Sequence, residues 1–415
     1  MTASETEVLP TCQADMKYDL LARAGFARRG NLHLPHSIVE TPVFMPVGTQ
    51  GTMKGIVPEQ LVSMDCRILL CNTYHLGHRP GHERVKAAGG LHKMMNWNRS
   101  ILTDSGGFQM VSLSKLMTVD ENGVNFESPH TGEMMELPPE KSIEIQQALG
   151  ADIMMQLDHV IHVLTTGDIV KEAMHRSIRW LDRCVEAHTR DDQAMFPILQ
   201  GGLNLELRKE CAEEMAKRAK VGIAIGGLSG GEEKNHFWRV VAACCAALPP
   251  HLPRYVMGVG FPVDLVVCSL LGADMFDCVY PTRTARFGTA MVRRGGLMQL
   301  NQKRYKEDFA PIDEKCECNT CKNYTRAYIH SIIGKETVGC HLVSVHNIKH
   351  QLDLMRDVRR SIESNSVEKF LNQFLFDYYG PIQSENEHQK EIEKVRDVPT
   401  WVRDAVDHMG YKLDF

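Results

Sequence analysis

The sequence predicts an α/β protein built on an eight-stranded (β/α)8 TIM barrel, with a cysteine-bearing and helical module after the eighth strand. Three observations predict it. Eight short runs of apolar and β-branched residues recur along the chain, with helix-like segments between most of them, the alternation expected of parallel β/α units. Eight is the number that closes such a barrel. The residues ending the runs are chemical rather than packing residues: Asn72, Asp104, Asp158, Gln200, Gly226–Gly227, Met257–Gly258 and Asp277. In this fold the active site collects at that end of the strands.

The runs, in order, are Pro42–Val47, Arg67–Asn72, Ile101–Asp104, Asp152–Asp158, Met195–Gln200, Val221–Gly226, Arg254–Val259 and Ala273–Cys278. The connecting segment Val170–His188 carries apolar residues at helical spacing with charges opposite, so it reads as an amphipathic helix on the barrel wall. The connection from Asp104 to Asp152 is long, and Asn122-Gly123 and Thr131-Gly132 signal turns of a small β insertion near 115–137. Beyond the eighth strand, residues 293–350 carry clustered cysteines and run into two helical segments, 344–364 and 367–379. The expected organisation is a flexible N-terminus over 1–20 and a barrel core over 21–292. A metal-binding and helical module over 293–380 completes the barrel, and a polar tail over 381–415 ends in a short helix.

Composition narrows the class. The chain has 415 residues, 43% hydrophobic and 24% charged, ample for a globular core. It has no apolar run of 18 residues, so no transmembrane segment is expected. The opening MTASETEVLPTCQAD lacks both the apolar region of a signal peptide and the arginines of a transit peptide. Thirteen cysteines, odd in number and scattered, fit reduced thiols in the cytoplasm better than a disulfide framework. The net charge of −5 argues against a protein coated by nucleic acid, yet Pro281 to Lys306 holds seven Lys/Arg and no Asp/Glu. That local patch follows directly on Asp277.

Cys316, Cys318 and Cys321 form C-x-C-x2-C, three thiolates suited to tetrahedral Zn2+. A fourth protein ligand would leave no open position and make the ion structural. His330, His341, His346, His350 and Cys340 all lie downstream within reach of that role.

Two carboxylates carry the chemistry. Asp104 closes the run in ILTDSGGFQM, and Asp277 closes another in FDCVYPTRTARFG, with Arg283 and Arg286 close behind. Two carboxylates at two strand ends, beside a basic segment, point to glycosyl chemistry on a nucleic acid.

The motifs TPVFMPVGTQGTMKG, CNTYHLGHRPG, LTDSGGFQM, QLDHV, ILQGG, AIGGLSGGE, YVMGVG, FDCVYPTRTARFG and the C-x-C-x2-C with His346-Asn347 downstream stand in one order over roughly residues 20 to 380. The chain thereby resembles the tRNA-guanine transglycosylases, the queuine tRNA-ribosyltransferase family, and most of all the eukaryotic catalytic subunits. The resemblance implies exchange of a wobble-position guanine for queuine by double displacement through a covalent ribosyl-aspartate. Asp277 matches the nucleophile and Asp104 the general acid/base. Ser105, Phe108, Asp158, Gln200, Gly227, Gly230 and Met257 match the base pocket, Phe108 and Met257 sandwiching the ring and Asn72 supporting Asp104. Arg283 and Arg286 match tRNA-binding positions, and His346 is singled out as the fourth ligand to one structural zinc. The implied partners are a tRNA with guanine at its wobble position and a non-catalytic paralogous accessory subunit. The resemblance also implies a cytoplasmic protein with peripheral association at the mitochondrial outer membrane.

Bacterial members carry valine where this chain has Gly230 and cysteine where it has Val160. The smaller residue is expected to admit the cyclopentenediol arm of queuine. The competing reading within the family is the non-catalytic paralogue, which the joint presence of Asp104, Asp158, Gln200 and Asp277 disfavours. A metal-dependent barrel hydrolase would need a His-x-His pair on the first strand, and TPVFMPV offers none.

Overall fold

The computed structural model describes residues 16–107, 117–128, 132–380 and 396–414. Its centre is a parallel sheet formed by β4 (Val43–Gly48), β5 (Ile68–Cys71), β6 (Ser100–Thr103), β10 (Ile153–Met155), β11 (Ala194–Phe196), β12 (Ile198–Leu199), β13 (Ile223–Ile225), β14 (Arg254–Val256) and β15 (Met275–Cys278). The hydrogen-bonded order is β11-β10-β6-β5-β4-β15-β14-β13-β12. Only Pro197 separates β11 from β12, and proline has no N–H to give to a ladder. They are two pieces of one strand that pairs with β10 on one side and β13 on the other. The nine segments are therefore eight strands, and the sheet closes into the expected barrel.

The strands are shorter than the apolar runs that announced them, but their alternation sets the site. Val43, Met45, Ile68, Leu70, Leu102, Ile153, Met155, Ile198, Ala224, Tyr255 and Met275 belong to one buried cluster inside the barrel. Their neighbours Phe44, Leu69, Ile101, Met154, Leu199, Ile225, Val256 and Phe276 belong to another, packed beneath the helices. With a side-chain period of two, the inward parity of Leu70, Leu102, Ile198, Tyr255 and Met275 continues to Asn72, Asp104, Gln200, Met257 and Asp277. Five site residues thus converge on the barrel axis because each lies two positions beyond an inward core residue.

Preceding the barrel is an antiparallel sheet of β1 (Lys17–Ala24), β2 (Ala27–His33) and β3 (Ile38–Thr41), which none of the eight runs announced. Tyr18, Leu32, Leu34 and Val39 continue the interior cluster and close the N-terminal end of the barrel. The Tyr18 hydroxyl donates to Asp274 Oδ1 at 3.0 Å. The flexible N-terminus expected over 1–20 lies mostly outside the described residues, and its last four positions, 17–20, are in β1. The insertion consists of β7 (Met117–Val119), β8 (Val124–Glu127) and β9 (Met134–Leu137), an antiparallel three-stranded sheet.

The amphipathic wall helix runs Asp168–Ala187 and buries Val170, Ala173, Met174, Ile178, Leu181 and Cys184. After β15 come a short helix, Tyr280–Ala285, and the hairpin β16 (Thr289–Val292) and β17 (Gly296–Gln299). A 27-residue helix, Thr337–Glu363, then packs against β1, β2 and β4 and against the Tyr280–Ala285 helix. Helices Val367–Tyr379 and Thr400–His408 follow. Among the described residues, no helix is long and apolar enough to cross a membrane.

Candidate active site

Asp277 ends β15. Its Oδ1 accepts from the Tyr255 hydroxyl at 2.6 Å and from the Gly258 N–H at 2.9 Å. Dense packing around the carboxyl pushes its pKa up, against the pull of those two hydrogen bonds, although the residue keeps a window to solvent at the barrel mouth. Tyr255 is fully buried. Burial and the neighbouring Asp277 and Asp104 carboxyls drive its own pKa well above the usual tyrosine value, so it remains a donor. It was not among the residues that the sequence singled out. Its only signal there is a tyrosine in an otherwise apolar strand, YVMGVG.

Asp104 ends β6 and is buried. Asn72 Nδ2 donates to its Oδ2 at 2.5 Å, and the Thr73 N–H donates to its Oδ1 at 2.8 Å. The Thr73 hydroxyl fastens the Asp104 carbonyl at 2.5 Å. The end of β5 therefore clamps the carboxyl that ends β6.

Asp158, beyond the end of β10, is a further buried carboxyl. Its Oδ1 accepts from the Ser105 hydroxyl at 3.2 Å, and its Oδ2 from Gln200 Nε2 at 2.6 Å. Burial outweighs both bonds and pushes its pKa up to about 6. Gly227 has φ +67°, and a Cβ there would stand 2.3 Å from Gln200 Oε1, so only glycine fits beside that amide. The Met257 thioether borders the same space, 3.4 Å from where a Cβ on Gly226 would sit. Arg208, also unanticipated, is buried and ties the ends of β12 and β13 together. It donates to Leu199 O and Gly226 O through Nη1 and to Gly202 O through Nε, at 2.8–2.9 Å.

Gly230 lies on an exposed turn whose shape Glu232 sets by accepting from the Ser229 and Gly230 N–H groups at 2.6 and 2.9 Å. A Cβ on Gly230 would meet Val163 Cγ1 at 3.1 Å, and no atom of Val160 lies within 4 Å of it. Phe108 lies outside the described residues. Arg283 and Arg286 are exposed at the helix following Asp277, with exposed Phe287 next to them.

The thiols of Cys316, Cys318 and Cys321 gather around His346, their ligand atoms all within 4.8 Å of one another. Cys321 Sγ is 3.2 Å and Cys318 Sγ 3.7 Å from His346 Nδ1. His346 Nε2 donates to Met291 O at 2.7 Å, which turns the Nδ1 lone pair toward the thiols, as a metal ligand requires. Hydrogen bonds from Cys316 and Cys321 hold the Cys318 thiol well below its ordinary pKa. The competing side chains are engaged elsewhere: His330 with Leu300 O, His341 with Gly55 O, and Cys340 with Arg286 O. His350 is outside the cluster. Three thiolates and one imidazole, with no open position, suit a structural transition-metal ion. Asn347, beside His346, donates to Pro281 O and Thr289 O at 2.9 and 3.0 Å and so ties the arginine-bearing helix to this module.

The family described as "Queuine tRNA-ribosyltransferase" matches residues 23–380. The chain is 93% identical over 400 residues to the queuine tRNA-ribosyltransferase catalytic subunit of Caenorhabditis elegans, covering 96% of this chain and all of that protein. It belongs to the queuine tRNA-ribosyltransferase family. Similarity extends to the catalytic subunit of Schizosaccharomyces pombe, 50% identical over 96% of this chain and 98% of that protein. A queuine tRNA-ribosyltransferase of Bacillus velezensis is likewise 50% identical, over 85% of this chain and 93% of that protein.

Proposed function

We propose that this chain is the catalytic subunit of a queuine tRNA-ribosyltransferase, a pentosyltransferase that exchanges guanine for queuine at the wobble position of target tRNAs. The observation that carries the reading is the pair of inward carboxyls, Asp277 and Asp104, with opposite anchoring at one barrel mouth. Among the described residues, both hydrogen bonds on Asp277 go to Oδ1, which leaves Oδ2 for attack on the ribose C1′. As the C1′–N9 bond breaks, Asp104 gives its proton to the departing guanine. Asp104 then takes the N9 proton of queuine as that nitrogen displaces the Asp277 ester, so two inversions retain configuration.

Asp158, Gln200 and the Gly227 N–H complement the edge of a guanine-type base, and Ser105 orients Asp158. Phe108 and Met257 stack on the ring, and Gly230 makes room for the cyclopentenediol. Arg283 and Arg286 hold the anticodon loop, where a single-stranded target base leaves the stack at low cost. One Zn2+ held by Cys316, Cys318, Cys321 and His346 is structural: it folds the module that braces the arginine helix. A non-catalytic paralogous subunit completes a heterodimer, which works in the cytoplasm and associates peripherally with the mitochondrial outer membrane.

The test is incorporation of radiolabelled guanine into a tRNA bearing guanine at its wobble position, with and without the partner subunit. Incorporation that requires this chain and is displaced by queuine supports the reading. No incorporation with the partner present overturns it in favour of a non-catalytic role.

A further inference from the structure

At the barrel end opposite the active site, three elements converge on one buried carboxylate. Asp152, at the entrance to β10, is 1% exposed. His36, from the β2–β3 connection, approaches its Oδ1 through Nδ1 at 2.8 Å. His92, from the helix Leu91–Met95, approaches its Oδ2 through Nε2 at 3.0 Å. The two imidazoles stack with centroids 3.6 Å apart and planes 13° from parallel, each turning a ring nitrogen toward the same carboxylate. The three ligand atoms lie within 4.8 Å of one another. The backbone N–H groups of His36 and Ile101 hold the carboxylate from behind, at 3.1 and 2.8 Å, which fixes its direction.

We infer that His36, His92 and Asp152 form a second metal site, for a divalent transition-metal ion, distinct from the thiolate cluster. Two imidazoles and a carboxylate are the donor set that takes Zn2+, Ni2+ or Co2+. Each ring nitrogen stands 2.8–3.0 Å from a carboxylate oxygen; an ion bound at ~2.1 Å takes the place of these two hydrogen bonds, and the stacked rings turn about their side-chain torsions to aim both nitrogens at it. The His36 side chain is 40% exposed and leaves a path for the ion and for waters that complete its coordination. The bound ion would fasten the N-terminal sheet to the floor of the barrel. Because the site lies away from Asp277 and Asp104, base exchange serves as an independent check of folding.

The experiment uses the full-length protein with its thiolate site already filled. After dialysis it is titrated with Co2+ and with Zn2+, following bound metal by calorimetry and Co2+ by visible absorption. One further equivalent is expected, on the order of micromolar, with no thiolate charge-transfer band and with a raised melting temperature. His36→Ala and His92→Ala should each weaken it roughly tenfold or more while base exchange persists. His36→Gln, which keeps a hydrogen-bonding group toward Asp152, guards against a folding defect and should also lose the ion. Absence of a further equivalent, binding only at millimolar metal, a thiolate band, or undiminished affinity in the histidine variants would overturn the inference.

Discussion

Replacing Asp158 with asparagine should remove a loss of stability that the wild type suffers as pH rises toward neutral, while weakening the protein's hold on a purine. Among the described residues, Ser105 and Gln200 are the side-chain hydrogen-bond partners of the buried Asp158 carboxyl, and its pKa is about 6. An unfolded aspartate titrates at ~3.9. The folded state therefore binds more protons than the unfolded state between those values, and stability from this group is lost as pH rises from ~4 to ~6. Two pKa units at 1.36 kcal/mol each amount to ~3 kcal/mol at full effect, of which ~2 kcal/mol falls between pH 4.5 and 7.5. An amide does not titrate. Urea unfolding of both proteins across that range should show the variant gaining ~2 kcal/mol on the wild type as pH rises, whatever constant offset the new hydrogen bonds introduce. On the proposed reading Asp158 is a charged acceptor for the base, so guanine should bind ~10- to 100-fold more weakly to the variant. A stability difference independent of pH would refute the assignment of Asp158 as a strained, desolvated carboxylate, and undiminished guanine binding would remove it from the pocket.

Tyr255→Phe deletes a bond that favours the ionised Asp277. The acid limb of the pH–kcat profile should move up, since activity is present above that pKa, and an unmoved limb would mean that Asp277 does not set it. Cys318→Ala should lower zinc content and melting temperature together, because metal binding energy is also folding energy; full zinc with an unchanged melting temperature would contradict the site. Gly230→Val should cost ~1–3 kcal/mol, about ten- to a hundredfold in kcat/KM, for queuine more than for guanine. Adding Val163→Ala should relieve whatever part of that loss is strain at the 3.1 Å contact. Equal losses for both bases would mean that the turn, rather than the pocket, was disturbed.

The barrel was legible because its physics is local: apolar runs announce the strands, and their polar ends, two residues beyond an inward core position and so in phase with it, place Asn72, Asp104, Gln200 and Asp277 on the inward side. Strand lengths were not, since Pro197 breaks a ladder that the run Met195–Gln200 implied was continuous. The N-terminal sheet escaped notice because β2 buries Arg28 and Arg29, which read as surface charge. Most of their partners come from far along the chain: Arg28 meets Asp274 at 3.4 Å and the carbonyls of Pro250 and Leu252, and Arg29 meets Glu363 at 2.6 Å as well as Glu40 on the neighbouring strand. Tyr255 and Arg208 were hidden for the same reason, because a buried polar residue declares itself only through its partners. The fourth metal ligand was decided by fold as well: spacing left five candidates, and the long helix brings His346 alone to the thiols.

The measurement closest to the central claim is capture of a covalent RNA adduct. Wild-type protein mixed with a tRNA bearing guanine at its wobble position and a slow-turnover base analogue should yield a denaturation-resistant protein–RNA species. Peptide mapping should place the ribose on Asp277. In Asp277→Asn that species and base exchange should both vanish while fold and zinc content persist. An adduct that survives in Asp277→Asn, or that maps to Asp104, would contradict the account.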